Sequence, residues 1–414
     1  MISEDASPRT PLGSGRSVYV AHLSRQLVRL GFLVDVFTRR DRPDLPTIVQ
    51  QEDGSRIIHV TAGPPEPLPN EELLSHVDEF TLSLLDFSIN NPGYHLAHAN
   101  SYLSGLVAAR LKETVRVPFV VTFHGLGLVR LQYQGKADRF AKERTAIERR
   151  VMREADRIVA ECPQDCDDQV ALYGADPKKI RMAPCGFDPA ELSPVDKITA
   201  RTLLELDANE PLVVYIGRMT PRKGVDSAIR GFARLVRKGI NARMLVVGGE
   251  SDDPDPRRTP EIGRLQKLAK SEHVADRVAF TGHRGRDALR YYYSAADVFV
   301  TTPWYEPFGI TPVEAMACGT PVIGTNVGGI KYTVEDGKTG YLVPPNDPDA
   351  LAERMQRLMA DAELRERMGQ AGIARANEHF TWKRVAELIG DVYEDAWASQ
   401  PGARRWRPAP VTVG

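Results

Sequence analysis

The sequence is short of several things that would place it quickly. It has only four cysteines in 414 residues (Cys162, Cys166, Cys185 and Cys318). They show neither the paired spacing of a zinc site nor the density of a disulfide-built secreted scaffold, which points to a reducing compartment, the cytoplasm. Charge of one sign is not in excess: 54 Lys and Arg face 55 Asp and Glu, for a net charge of −1. No global field therefore recruits nucleic acid, and any attraction of anions must be local. No apolar run reaches the roughly 18 residues of a membrane span, and the opening residues do not read as a signal peptide. The tail around Arg404, Arg405, Trp406 and Arg407 reads as frayed, with at most a weak peripheral contact to an anionic membrane. There is no short internal repeat and no low-complexity tract. A glycine-lysine-serine phosphate loop is missing, as is a G-x-G-x-x-G turn after any strand, which argues against a P-loop enzyme and a nicotinamide-dependent dehydrogenase. No Asp-x-Asp pair stands at a strand end, and the acidic "DDPDP" at 252–256 reads as a loop, so no metal site and no cofactor are expected.

What is present is an ordinary globular composition, 42% apolar and 26% charged, in a chain long enough for two domains. Short β-branched runs alternate with longer amphipathic ones, the pattern of parallel α/β sheets. The first half offers strands at 33–38, 56–61, 95–99, 118–123, 156–160 and 179–184, and the second at 212–217, 243–248, 277–282, 297–302, 321–325 and 340–344. A first helix sets Val20, Leu23, Leu27 and Leu30 on one face and stops at Gly31. After Tyr341 the chain reads as mostly helical to about residue 398. The expected organisation is an amino-terminal Rossmann-like domain over 1–188 and a carboxyl-terminal Rossmann-like domain over 189–380. A helix over 381–400, crossing back to the first domain, and a flexible tail over 401–414 complete it. Two such open sheets are expected to face a cleft, with ligands at the carboxyl ends of the strands.

The stretch "EPFGITPVE" (306–314) carries the most chemistry. Thr311 suits a helix cap, Pro312 the first helical position, and Glu314 a capping box, while Gly319 ends the helix within two turns. Such a start attracts anions through free N–H groups and the macrodipole. Two readings stand side by side: Glu314 caps and Glu306 is a solvated loop residue, or both face a ligand. "GRMTPRKG" (217–224) tips the balance, because Arg218, Arg222 and Lys223 over one turn can converge on a diphosphate. Glycines also end other strands, at Gly248 in "VVGGES" and in "FTGHRGRD", where the backbone around His283 and Arg284 can meet a flat base.

These residues resemble the retaining nucleotide-sugar glycosyltransferases of the two-Rossmann-domain (GT-B) fold, the large family that includes sucrose synthase and sucrose-phosphate synthase. The resemblance spans nearly the whole chain. "SEDASP", "HANSYLSGL", "TFHGLG" and "CGFDP" look closest to the sucrose-synthase-like branch. It implies hexose transfer from UDP-glucose, or from GDP-mannose as second choice, to a sugar, sugar-phosphate or lipid-linked acceptor, without a metal. Carried over residue by residue, it implies that Glu306 binds hydroxyls of the donor sugar. The backbone of Phe308, Gly309, Ile310 and Thr311 holds sugar and phosphate, and Glu314 accepts from the ribose. Arg218 and Lys223 neutralise the diphosphate, Gly217, Gly248 and Gly15 give the donor room, and His124 reaches the sugar. Arg16 and His98 fall on the acceptor side.

The likeness fails at the amino-terminal glycine loop, "PLGSGRSVYV", where Ser14 replaces a glycine and Arg16 stands where glutamine is common. The first strand is reduced to Met1, Ile2 and Ser3, so the sequence predicts either a start a few codons upstream or a loosely held glycine loop. These departures sustain an alternative, a catalytically weak nucleotide-sugar-binding or scaffolding protein.

Overall fold

The β-branched runs become strands because they are buried on both faces, as parallel sheets require. In the computed structural model, residues 1–2, 15–69, 72–91, 93–135 and 143–402 are described. The chain divides into one unit of Met1–Cys185 with Trp382–Gly414 and another of Gly186–Thr381. The expected boundaries were 188 and 380.

In the first unit the strands are β1 (Asp35–Arg39), β2 (Ile48–Gln50), β3 (Arg56–Val60), β4 (Ala97–Ala99), β5 (Phe119–Thr122), β6 (Arg157–Ala160) and β7 (Ile180–Met182). They form ladders in the orders β1-β3-β2 and β4-β5-β6-β7. Ile2 joins them by bridging Phe37 and Ala99 in parallel. Its N–H donates to the His98 carbonyl (2.9 Å), and its own carbonyl accepts from Asn100 N–H (3.1 Å). The stub of a first strand is therefore in the middle of the sheet; Ser3 lies outside the described residues. Strand β2 has no counterpart among the sequence candidates. It is a three-residue antiparallel edge with Ile48 exposed, too short for alternation to register.

The helix Gly15–Arg29 buries Tyr19, Val20, Leu23 and Leu27, and Gly31 ends the turn at φ 89°. Against it packs the helix Trp382–Ala398, which buries Trp382, Val385, Ile389 and Tyr393. Tyr19 meets Trp382 edge-on at 5.5 Å, and Phe32 meets Tyr393 at 5.6 Å. Arg157 of β6 grips Asp395 with two hydrogen bonds (2.7 and 2.8 Å). None of the described helices is long and apolar enough to cross a membrane. The Arg404–Arg407 tail lies outside the described residues.

The second unit is one parallel sheet of β8 (Leu212–Ile216), β9 (Arg243–Val247), β10 (Val278–Gly282), β11 (Val298–Thr301), β12 (Val322–Thr325) and β13 (Gly340–Val343). The order is β10-β9-β8-β11-β12-β13. Val213, Tyr215, Met244, Val246, Val298 and Val300 share a core with Phe232 and Leu235 of the helix Val225–Arg237. At about 1.5–3 kcal/mol for each fully buried aliphatic or aromatic side chain, this core fixes the sheet. Asp297, ahead of β11, accepts from Arg201 (2.9 Å), Lys197 (2.9 Å) and Leu212 N–H (2.8 Å). It thereby ties the helix Lys197–Leu203 to the foot of β8. The chain winds outward from β8 through β9 to β10, then returns to the other side of β8 as β11. That reversal makes a topological switch point between β8 and β11, where open α/β sheets bind ligands.

Candidate functional site

The switch point brings together the two motifs that the sequence separates. After β8, Gly217 leads into Arg218 and a tight turn, Pro221–Lys223, which ends at Gly224 with φ 65°. A side chain at Gly224 would bring its Cβ within 1.8 Å of the Thr302 carbonyl. The close approach is held by the Thr302 hydroxyl, which donates to the Gly224 carbonyl (2.7 Å), and by Trp304 N–H, which donates to the Arg222 carbonyl (2.9 Å). The β8 turn is thus locked onto the segment after β11, and Lys223 forms an ion pair with Glu306. The two side chains are only 17% and 16% exposed.

Burial alone would neutralise such a pair, and the surroundings decide otherwise. Burial opposes the Glu306 charge, but Lys223, Arg222 and Arg218 outweigh it and hold the carboxyl below its ordinary range. Burial lowers Lys223 despite Glu306, with Arg222 and Arg218 adding to the push. Three cations and one anion therefore occupy the switch point. Arg218 is exposed and Arg222 half-buried.

The loop after Glu306 is clamped from the β12 side. Gly329 N–H donates to the Glu306 carbonyl (2.8 Å). Side chains at Gly328 and Gly329 would run into Glu306 and Phe308 backbone, at 2.0 and 2.4 Å. Gly309, at φ 92°, is the cap of the helix Ile310–Ala317, and no side chain closes it. This corrects the expected cap: Thr311 lies inside the first turn, Pro312 is the third helical residue, and Glu314 makes no capping box. The positive φ of Gly309 starts the helix earlier than the Thr-Pro pair suggests. The N–H groups of Ile310 and Thr311 are left at an uncapped start. Glu314, 2% exposed, turns inward and accepts from the Tyr293 hydroxyl (2.8 Å) and Arg286 (3.2 Å).

Three strand ends stack backbone on backbone here. Gly217 N–H donates to the Val247 carbonyl (3.0 Å), and Gly248 N–H to the Gly282 carbonyl (2.9 Å). A Cβ on Gly248, at φ 141°, would lie 2.0 Å from the Gly217 carbonyl. At the turn of His283 and Arg284, some of the polar groups are engaged within the protein. His283 N–H donates to the Ser251 carbonyl (2.8 Å), and the His283 carbonyl accepts from the Arg284 side chain (2.7 Å). Arg284 also reaches the Asp252 carbonyl (2.8 Å).

In the first unit, Gly15 and Arg16 open the helix Gly15–Arg29, and residues 3–14, with Ser14, lie outside the described residues. His124 follows β5 with φ 55°. Its Nδ1 is 2.7 Å from Glu161 Oε1 and its Nε2 is 3.3 Å from Asn100 Oδ1. His98 is corrected outright. It is 1% exposed, one ring nitrogen pairs with the Tyr393 hydroxyl (2.7 Å), and the other pairs with Thr122 (2.8 Å). Burial depresses its basicity well below the ordinary histidine value; it is a core residue and faces no acceptor. Sequence reasoning missed Glu161, Arg286 and Tyr293. Glu161 carries only the weak signal of a carboxylate just past a strand, and the other two carry none.

Residues 196–375 match the family model described as Glycosyl transferases group 1, and residues 14–186 the one described as Glycosyl transferase 4-like domain. The D-inositol 3-phosphate glycosyltransferase of Acidothermus cellulolyticus is 37% identical over 420 residues, covering 99% of this chain and 92% of that protein. The structure of sucrose-phosphate synthase from Thermosynechococcus elongatus is similar at a TM-score of 0.87 and 33% identity, over 96% of this chain and 98% of that one. Anabaena HepE in complex with UDP-glucose, 20% identical with a TM-score of 0.74 over 94% and 97%, shares the fold.

Proposed function

Because the chain belongs to the group 1 glycosyltransferases, enzymes that use nucleotide sugars, we propose that it transfers a hexose from a nucleoside diphosphate sugar with retention of configuration and without a metal ion. Glucose is the first choice and mannose the second, on the resemblance of its motifs to the sucrose-synthase-like branch. The observation that carries the reading is the cation cluster of Arg218, Arg222 and Lys223, drawn around Glu306 beside an uncapped helix start at the switch point.

In this reading negative charge grows on the departing diphosphate as the glycosidic bond breaks. Lys223, Arg218 and the N–H groups from Phe308 to Thr311 stabilise that charge, in a place where fixed dipoles and cations act without reorganising. An ammonium has three donors, so Lys223 holds Glu306 with one and keeps others for phosphate oxygens. Glu306 accepts from donor sugar hydroxyls. Glu314 accepts from the ribose with the lone pairs that Tyr293 and Arg286 leave open, and His124 addresses the sugar. The departing phosphate takes the acceptor proton on the same face, which retains configuration. We place the acceptor among phosphorylated sugars or polyols, because the similar Acidothermus cellulolyticus protein is named for D-inositol 3-phosphate and the similar Thermosynechococcus elongatus protein for a phosphorylated sugar.

The test is a panel of UDP-glucose and GDP-mannose against sugar phosphates, inositol phosphates and their unphosphorylated counterparts, reading released nucleoside diphosphate. One donor should be consumed with a phosphorylated acceptor and not with its free counterpart. Indifference to the acceptor phosphate contradicts the acceptor class, and consumption of neither donor contradicts the donor.

A further inference from the structure

We infer that Glu161 is a positioning residue for the transfer reaction, its carboxylate holding the His124 ring so that Nε2 is aimed at the bound donor. The inference rests on the role proposed above for His124.

The sheet itself builds the arrangement. Thr122 of β5 is in register with Val159 of β6, so the residues two further on, His124 and Glu161, emerge side by side at the carboxyl ends of adjacent strands. Ala160 is in register with Met182 of β7, and three residues later Cys185 donates its thiol hydrogen to the same oxygen, Glu161 Oε1 (3.0 Å). Ala99 of β4 is in register with Val121, and Asn100 follows it directly. Four successive strands thus deliver Asn100, His124, Glu161 and Cys185 to one place.

Glu161 is 3% exposed, and a buried carboxylate is costly unless donors are aimed at it. A carboxylate only accepts, so His124 Nδ1 carries a hydrogen and donates it at 2.7 Å. Nε2 faces a second acceptor, Asn100 Oδ1, while the Asn100 amide donates to the His98 carbonyl (3.4 Å). Both ring nitrogens therefore face oxygen atoms, which fix the orientation of the ring. Asp165, whose carboxylate accepts from Glu161 N–H (3.0 Å), is the neighbouring buried acid. Burial, and then the Glu161 charge, push it up to about 7. Tyr19 packs edge-on to the imidazole at 4.5 Å. The backbone of His124 sits in the left-handed region at φ 55°, which non-glycine residues rarely enter. These contacts restrain the ring, and Nε2, whose contact to Asn100 is the longer of the two at 3.3 Å, is the nitrogen that can exchange its partner for a ligand. A metal fits less well. The ligand atoms stand 2.7 and 3.0 Å apart, closer than the roughly 3.4 Å that tetrahedral bonds of about 2.1 Å impose.

The experiment compares wild type, Glu161→Gln, Glu161→Asp, His124→Ala and the His124→Ala/Glu161→Gln pair for kcat, donor KM and thermal midpoint. The His124 imidazole ¹⁵N shifts are also recorded. Glu161→Gln should lower kcat roughly 10–100-fold, the range seen when a partner orienting a functional histidine is lost. Donor KM should stay within about twofold, because the interaction is spent on the transition state. The His124 Nδ1 ¹⁵N shift should change as its carboxylate acceptor is lost, and Glu161→Asp should recover part of the rate. In the His124→Ala background, Glu161→Gln should cost less than about a further twofold, since residues that act as one unit are non-additive. Wild-type kcat in Glu161→Gln, or the same loss in both backgrounds, overturns the inference. Should Glu161→Gln not fold, Glu161→Asp carries the test, and full wild-type kcat with unchanged ¹⁵N shifts would count against it. Wild-type turnover in His124→Ala removes the premise instead, and is read from that variant alone.

Discussion

Replacing Glu306 by Gln should tighten binding of the leaving nucleotide while it slows transfer. Lys223 and Glu306 already neutralise each other, so an incoming diphosphate competes with a carboxylate for the same ammonium. Burial works against the Glu306 charge, but Lys223, Arg222 and Arg218 keep the group ionised at neutral pH, so the substitution removes a full negative charge without changing volume. At an effective dielectric of about 20, a carboxylate roughly 6–8 Å from a phosphate repels it by about 2–3 kcal/mol. With the pair about one-sixth exposed, 17% and 16%, solvent screening reduces this to about 1–1.4 kcal/mol, or roughly 5–10-fold in affinity. Titration calorimetry with the free nucleoside diphosphate reads this directly. The variant should bind it more tightly than wild type does, yet lose at least about tenfold in kcat/KM, since the sugar hydroxyls lose a charged acceptor oxygen to an amide donor. Weaker nucleotide binding, or tighter binding with full turnover, would refute the reasoning that Glu306 faces sugar while sharing Lys223 with phosphate.

Three further outcomes follow from the same structure. Gly224→Ala forces a Cβ to within 1.8 Å of the Thr302 carbonyl at φ 65°. The Lys223 turn should detach, with turnover falling at least about tenfold and stability by roughly 1–3 kcal/mol; a kinetic and thermal profile like wild type contradicts the lock. Glu314→Gln should raise donor KM more than it lowers kcat, because a ribose contact is made alike before and during reaction, and an unchanged KM would leave Glu314 a structural partner of Arg286 and Tyr293. Asp297→Asn should destabilise the second unit by about 3 kcal/mol at pH 7, since Arg201 and Lys197 lose their counter-charge. Burial opposes ionisation of Asp297, but Lys197, Leu212 N–H and Arg201 hold its carboxyl below the ordinary value. The stability it supplies is therefore complete above about pH 4 and lost as pH falls through the lowered value. The gap between wild type and variant in denaturant melts should narrow only below about pH 4; narrowing at pH 6 would contradict the assignment.

Strands were legible where burial on both faces leaves a continuous β-branched run, as in Leu212–Ile216 and Val298–Thr301. The edge strand Ile48–Gln50 was not, because nothing hydrophobic repeats over three half-solvated residues. Glu306 and Lys223 are 83 residues apart, and only the return of the chain to the far side of β8 makes them neighbours. Their meeting was readable as a family likeness and not from local pattern. The Thr311 cap failed because Thr-Pro is a good local signal that Gly309, with φ 92° and the Gly328–Gly329 clamp behind it, overrides. His98 and His124 both lie near strand ends in the sequence. What separates them is Tyr393, 295 residues away, which seals His98 into the core. Glu161 carried only a weak signal because its meaning comes from the register of four strands.

Fixed cations at the switch point should support retaining transfer without a metal. The most direct test follows the anomeric proton by NMR as an α-linked nucleotide sugar is consumed in the presence of EDTA, by wild type and by Lys223→Ala. The account predicts an α-linked product at full rate in chelator. Lys223→Ala, with the fold kept, should be roughly 100-fold slower, as the loss of about 3 kcal/mol of electrostatic stabilisation requires. A β-linked product, loss of activity on chelation that a divalent ion restores, or a Lys223→Ala enzyme at the wild-type rate would contradict it.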